Sequence, residues 1–236
     1  MPFKNKIVLI TGGSGGLGKA VTRSFLDHGA TVVVSYIVDK EIEELKQTIG
    51  DAQNLDCMKA DLTDENSVKN LFGAIAEKYG KLDILANLIG GFWMGGDISE
   101  MPFSEWNHMI SLNLTTTFLC TREAFSLMKK NDGGKIITIS ARAALELPPG
   151  MAAYTTGKAA VLALTKTLAS EGKDYNVQAN AILPSIIDTE TNRQAMPNAD
   201  FDKWVKPQEI AEAILALCSQ ETAVISGTAV KVYGRV

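Results

Sequence analysis

Short apolar runs rich in β-branched residues alternate along this chain with longer stretches whose apolar positions recur every three or four residues. The short runs predict strands over 6–11, 31–36, 53–60, 82–87, 135–140, 177–183 and 228–233. The longer stretches predict helices over 16–28, 39–49, 64–79, 103–130, 153–173 and 207–219. Near-continuous apolar strands, each followed by a helix, belong to a parallel sheet covered by helices on both faces. The predicted fold class is therefore α/β: one doubly wound, Rossmann-type domain of seven strands spanning 1–236, with no linker, repeat or low-complexity segment. The stretch 185–206 carries little periodic signal and is expected to form a lid over the site.

Composition narrows the partners. The chain has 236 residues and is 46% hydrophobic, enough for one substantial core. Its 23 basic and 27 acidic residues give a net charge of −4, and no basic run suggests nucleic acid. No apolar run has the length of a membrane span. The first apolar stretch, Ile7-Val8-Leu9-Ile10, is shorter than the core of a secretory signal. Cys57, Cys120 and Cys218 are odd in number and far apart, as expected of buried thiols in a reducing, cytoplasmic compartment. With His28 and His108 as the two histidines and no Cys-x-x-Cys, no metal site is expected.

Ligands of doubly wound sheets bind beyond the carboxyl ends of the strands, where strand order reverses. The segment Thr11-Gly-Gly-Ser-Gly-Gly-Leu-Gly18 stands there, between the first strand and the first helix. Its glycines permit a tight turn and close approach of the backbone to a phosphate, which the helix N-terminus then attracts.

A second constellation is Tyr154 and Lys158, four apart and hence adjacent on one helix face. A phenol has a reference pKa of about 10 and is a poor acid-base catalyst near neutrality. An adjacent ammonium favours its ionised form, so Lys158 is expected to lower the pKa of Tyr154. Alone this pair is a weak signal; its weight comes from the glycine loop upstream.

The loop spacing Thr11-Gly12-x-x-x-Gly16-x-Gly18, with these further motifs, resembles the short-chain dehydrogenase/reductase family from end to end. The resemblance implies an NAD- or NADP-dependent oxidoreductase. It implies cofactor contacts from Gly12, Ser14, Gly16, Leu17 and Gly18 in the loop, Tyr36 after the second strand, and Asp61 and Leu62 after the third. Asn87 and Gly90 match the ends of the family's Asn-Asn-Ala-Gly, with Leu88 and Ile89 departing in the middle. Pro184, Asp188 and Thr189 resemble the segment that clasps the nicotinamide, with Ser185 in place of its glycine. Tyr154 becomes the proton donor, Lys158 binds the ribose, and Asn113 supports a water relay. The resemblance further implies homodimers or homotetramers built through helices 103–130 and 153–173. Tyr36 is neither the acid that would select NAD nor the arginine that would select NADP. Asp39 and Lys40 are both within reach, so either cofactor remains open.

One family feature is missing. Thirteen residues before the tyrosine, where the family carries a carbonyl-binding serine, stands Ala141. Ser140 is adjacent, but neighbouring strand residues point to opposite faces. Arg142 follows and is either a charge offered to substrate or a solvated loop residue. Segments 140–145, 149–154, 89–96 and 183–204 resemble dihydropteridine reductases, which also lack the serine, although Asn113 is retained here and not there. Trp93 and Trp204 are candidate stacking partners for a flat ring. The expected activity is hydride transfer from NADH or NADPH to a small, pterin-like substrate (a quinonoid dihydropteridine). The alternatives are a 3-oxoacyl-carrier-protein type carbonyl reductase, or a catalytically weak dinucleotide-binding sensor.

Overall fold

The computed structural model describes residues 1–50 and 52–236. The chain runs through β1 (Ile7–Thr11), α1 (Gly16–Asp27), β2 (Thr31–Tyr36), α2 (Asp39–Ile49), β3 (Leu55–Lys59) and α3 (Glu65–Tyr79). It continues through β4 (Ile84–Asn87), α4 (Phe103–Ile110), a π-helical turn (Ser111–Thr115) and α5 (Thr116–Lys129). Then come β5 (Gly134–Ile139), the one-turn α6 (Ala143–Glu146), α7 (Ala152–Glu171) and β6 (Val177–Pro184). The last elements are α8 (Glu190–Ala195), α9 (Pro207–Cys218) and β7 (Ala229–Val232).

All seven strands pair in parallel, in the order β3-β2-β1-β4-β5-β6-β7. The five central strands are buried on both faces because each face carries its own helical layer, and the edge strands β3 and β7 are only partly covered. One core joins the sheet to Val21 and Phe25 of α1, Leu45 of α2 and Ile214 of α9. The other joins it to Phe72 and Ile75 of α3, Met128 of α5 and Leu168 of α7. Cys120 and Cys218 lie inside these layers, and burial pushes both thiols up to about 12.

Helix ends follow local chemistry. The Asp64 carboxylate caps α3 by accepting the Ser67 N–H at 2.7 Å, and Gly80 ends that helix in a left-handed conformation. Pro207 opens α9, whose final carbonyls are capped by buried Lys135 of β5; its Nζ donates to the Ser219 carbonyl at 2.5 Å. Burial pulls the Lys135 ammonium below the usual lysine range.

Two expectations are corrected. The single helix expected over 103–130 is interrupted by the π-helical turn at Ser111–Thr115. The helix expected over 153–173 ends at Glu171, and Gly172–Tyr175 tightens into a 3₁₀ turn before β6. Among the described residues, no helix is long and apolar enough to cross a membrane.

The strand order reverses between β1 and β4, whose neighbours lead away on opposite sides. The crevice at their carboxyl ends is the natural binding site of such a sheet.

Candidate active site

The glycine loop turns sharply at Gly12, whose φ of +65° lies in the left-handed region. Gly15 caps α1 with no side-chain hydrogen bond, which leaves the first backbone N–H groups of the helix directed into the crevice. A side chain at Gly16 would meet the Thr189 methyl at 2.8 Å, so the segment after β6 lies directly against the loop. A Cβ on Gly18 would strike the Gly12 carbonyl and the Gly13 backbone. This cradle is shaped for a pyrophosphate, and the residues present fit a dinucleotide. We expect Gly18→Ala to distort the turn at about 1–3 kcal/mol, weakening dinucleotide binding roughly ten- to hundredfold. Titration of the folded variant with NADH, read by fluorescence, measures the loss.

A buried hydrogen-bond chain stitches the two strands flanking the crevice. The Thr11 hydroxyl donates to Asn87 Oδ1 at 3.0 Å and accepts from the backbone N–H groups of Leu88 and Ile89 at 3.1 and 3.3 Å. Asn87 Nδ2 donates to the Thr117 hydroxyl at 3.0 Å, which donates onward to the Asn113 carbonyl at 2.7 Å. Asn113 sits in the π-helical turn, a feature that recurs at functional sites. Its side chain accepts from Gly91 N at 3.2 Å and donates to the Gly91 and Met109 carbonyls, each at 3.1 Å. The turn thus fixes the loop after β4. Gly90 lies so close to both groups that a Cβ there would stand 2.8 Å from Asn113 Oδ1 and 2.9 Å from Lys158 Nζ.

Tyr154 and Lys158 lie on the first turns of α7. Lys158 is 5% exposed, and its Nζ donates to the Ile139 carbonyl at 2.9 Å. Burial lowers its ammonium to about 8. Burial also raises the Tyr154 phenol to about 12. This corrects the expectation that Lys158 lowers it. The lysine is engaged by the end of β5, and desolvation of the phenol outweighs its charge in the free protein. The Tyr154 ring meets Phe92 edge-on, with centroids 5.1 Å apart. Phe92 is 61% exposed, an apolar surface beside the phenol.

The fifth strand delivers Ser140, Ala141 and Arg142 to the same rim. Ser140 is 1% exposed, and its hydroxyl donates to the Lys158 carbonyl at 2.7 Å. It therefore braces α7 and points away from the position of the missing serine. Ala141 is buried. Arg142 pairs with Glu146 at 2.7 Å and lies over the Tyr233 ring, which engages its charge there.

Pro184 ends β6, and the segment beyond it is closed at its base. Ile187 bridges Val205, and Asp188 binds both Arg193, at 2.5 Å, and Lys206, at 2.7 Å. These two cations hold the Asp188 carboxyl well below the usual carboxylate range. The segment includes α8, which the weak periodicity of 185–206 did not reveal. Trp204 is buried against Phe201 and anchors the segment, so it presents no face for stacking; Trp93 is half-buried.

At the far end of the crevice, Leu62 is buried and Asp61 is exposed, its carboxylate accepting both the backbone and hydroxyl hydrogens of Thr63. Tyr36 is half-buried at the end of β2. The Asp39 carboxylate pairs with Lys59 at 2.7 Å. The sequence reading missed Phe92, Thr117 and Glu41, whose carboxylate accepts the Ser14 hydroxyl at 2.8 Å. Thr117 had a signal, standing one helical turn beyond Asn113; Phe92 and Glu41 depend on tertiary packing.

The arrangement can be compared with known proteins. The short chain dehydrogenase family model matches residues 6–200. The chain is 30% identical to the 3-oxoacyl-[acyl-carrier-protein] reductase FabG of Thermotoga maritima, over 99% of this chain and 98% of that one. It is 31% identical to the 7alpha-hydroxysteroid dehydrogenase of Escherichia coli, over 97% and 93%. A solved structure of ElxO with NADP bound superposes with a TM-score of 0.92 at 29% identity, covering 97% of each chain. The family match, the full-length relatives and the sheet order agree: the chain belongs to the short-chain dehydrogenase/reductase family of NAD(P)-dependent oxidoreductases.

Proposed function

We propose that this protein reduces a flat, conjugated ring bearing an imine-like bond, of the quinonoid dihydropteridine type. The observation carrying this reading is Ala141, buried at the rim, with the adjacent Ser140 hydroxyl committed to the Lys158 carbonyl. Neither side chain offers a donor to a substrate carbonyl. Reduction of a conjugated imine places charge on ring nitrogens instead, and needs a proton donor more than a carbonyl clamp.

In this reading Gly12, Ser14, Gly16, Leu17 and Gly18 hold the pyrophosphate end of the cofactor, and Tyr36, Asp61 and Leu62 the adenosine. Asn87, Gly90, Pro184 and Thr189 would flank the nicotinamide, and Tyr154 and Lys158 would hold its ribose. The reduced nicotinamide supplies the hydride. Tyr154 holds the proton: at about 12, the phenol stays protonated through the physiological range and delivers its proton to the substrate ring. Lys158, at about 8, is mostly an ammonium at neutrality and draws charge off the phenol as the proton leaves. Asn113 keeps the Gly91 backbone in place and with it the ring of Phe92, which covers one side of the phenol. The segment 185–206 closes over the substrate as a lid. Exposed Phe103 and Phe118, on α4 and α5, support assembly through those helices into a homodimer or homotetramer, and the thiol pattern supports a cytoplasmic setting.

Purified protein supplied with quinonoid dihydropterin and NADH or NADPH tests the proposal. Oxidation of the reduced nicotinamide in step with tetrahydropterin formation is expected. No turnover of the pterin, beside brisk turnover of a β-ketoacyl thioester, overturns it. That second reading is favoured by relatives named as 3-oxoacyl-[acyl-carrier-protein] reductases, at 30% and 32% identity.

A further inference from the structure

We infer that Glu41, on the first turn of α2, makes this protein select NADH over NADPH. The usual place for a selecting acid, the end of the second strand, holds Tyr36. Asp39 is turned toward Lys59 instead, in an exposed ion pair at 2.7 Å. Glu41 reaches the phosphate loop itself: its Oε2 accepts the hydroxyl of Ser14 at 2.8 Å. That serine is buried, and its neighbour Gly13 lies against Val34 of β2. The adenosine ribose of a dinucleotide on this loop would lie beyond the end of β2, which would set the carboxylate near its 2′ position.

Of the neighbouring charges, Lys40 stands exposed beside Glu41 and opposes it, and the others point the same way as the carboxylate. Position 15, inside the loop, is glycine and supplies no cation. Lys59 is neutralised by Asp39, and Lys19 pairs with Glu44 at 3.6 Å. A ribose hydroxyl can donate to Glu41. A 2′-phosphate carries about −1.5 to −2 charges near neutrality and meets a carboxylate with only acceptors to offer.

Calorimetric titration of the free protein with NADH and NADPH tests this directly. The unmodified protein is expected to bind NADH at least about tenfold more tightly, a difference of about 1.4 kcal/mol. Glu41→Gln keeps the shape and an acceptor for Ser14 but removes the charge, so its ratio should fall toward one, chiefly through tighter NADPH binding. Repeating the titration with ADP-ribose and its 2′-phosphate places the effect at the adenosine end. Equal or tighter binding of NADPH by the unmodified protein overturns the inference, as does an unchanged ratio in Glu41→Gln. No substrate enters these titrations, so their outcome is independent of the pterin reading.

Discussion

Tyr154→Phe is expected to lower kcat by about 10²–10⁴-fold on every accepted substrate, the usual worth of a positioned proton donor. The substitution removes one oxygen and keeps the ring. Its edge-on packing against Phe92 survives, so the fold should stay that of the unmodified protein, and the loss of dinucleotide affinity should be limited to the one ribose contact of the hydroxyl. Tyr154 is the protonated partner up to about 12, whereas Lys158 loses its charge through about 8. The sign of the pH dependence follows. In the unmodified protein kcat/KM should hold below about 8 and fall as pH rises through that value, because Lys158 is charged only below it. A stopped-flow pH series on both proteins measures this. A phenylalanine variant with unchanged kcat would remove Tyr154 from the chemistry.

Ala141→Ser should change substrate choice. The new hydroxyl stands thirteen residues before Tyr154, at the family position for holding a carbonyl. A donor aimed at a developing oxyanion is worth about 10²–10³-fold in rate. We expect kcat/KM for a β-ketoacyl thioester to rise by about 10²-fold, with pterin turnover changed by less than about threefold. The existing Ser140 does not substitute, because its hydroxyl is tied to the Lys158 carbonyl on the other face of the strand. An unchanged thioester rate in a correctly folded variant would mean that the missing serine is not what sets substrate choice.

Much of this architecture was legible in the amino-acid order, for physical reasons. Strands buried on both faces read as apolar runs, and glycines forced by a tight turn stand beside them; β1 and the loop to Gly18 needed no tertiary information. The π-helical turn at Ser111–Thr115 was not legible. It shifts hydrogen-bond partners by one residue without interrupting the apolar pattern. The Tyr154–Lys158 pair shows a different limit. Spacing placed both residues together, yet spacing carries no measure of desolvation, which drives the phenol up and the ammonium down. Trp204 is buried where a stacking face was expected, and Phe92 is exposed beside Tyr154, for a similar reason: which aromatic ring faces solvent depends on how the loops pack. Glu41 was hidden because it reaches the loop only through the docking of α2.

On the proposed reading, these features describe a family member that kept its acid and gave up its carbonyl clamp. The ratio of kcat/KM for quinonoid dihydropterin to that for a β-ketoacyl thioester, measured on the unmodified protein with saturating NADH, tests that statement most directly. A ratio of at least about 10², in favour of the pterin, is predicted from the absence of one oxyanion donor. A ratio below one would contradict it and identify the protein as a carbonyl reductase that works without the serine.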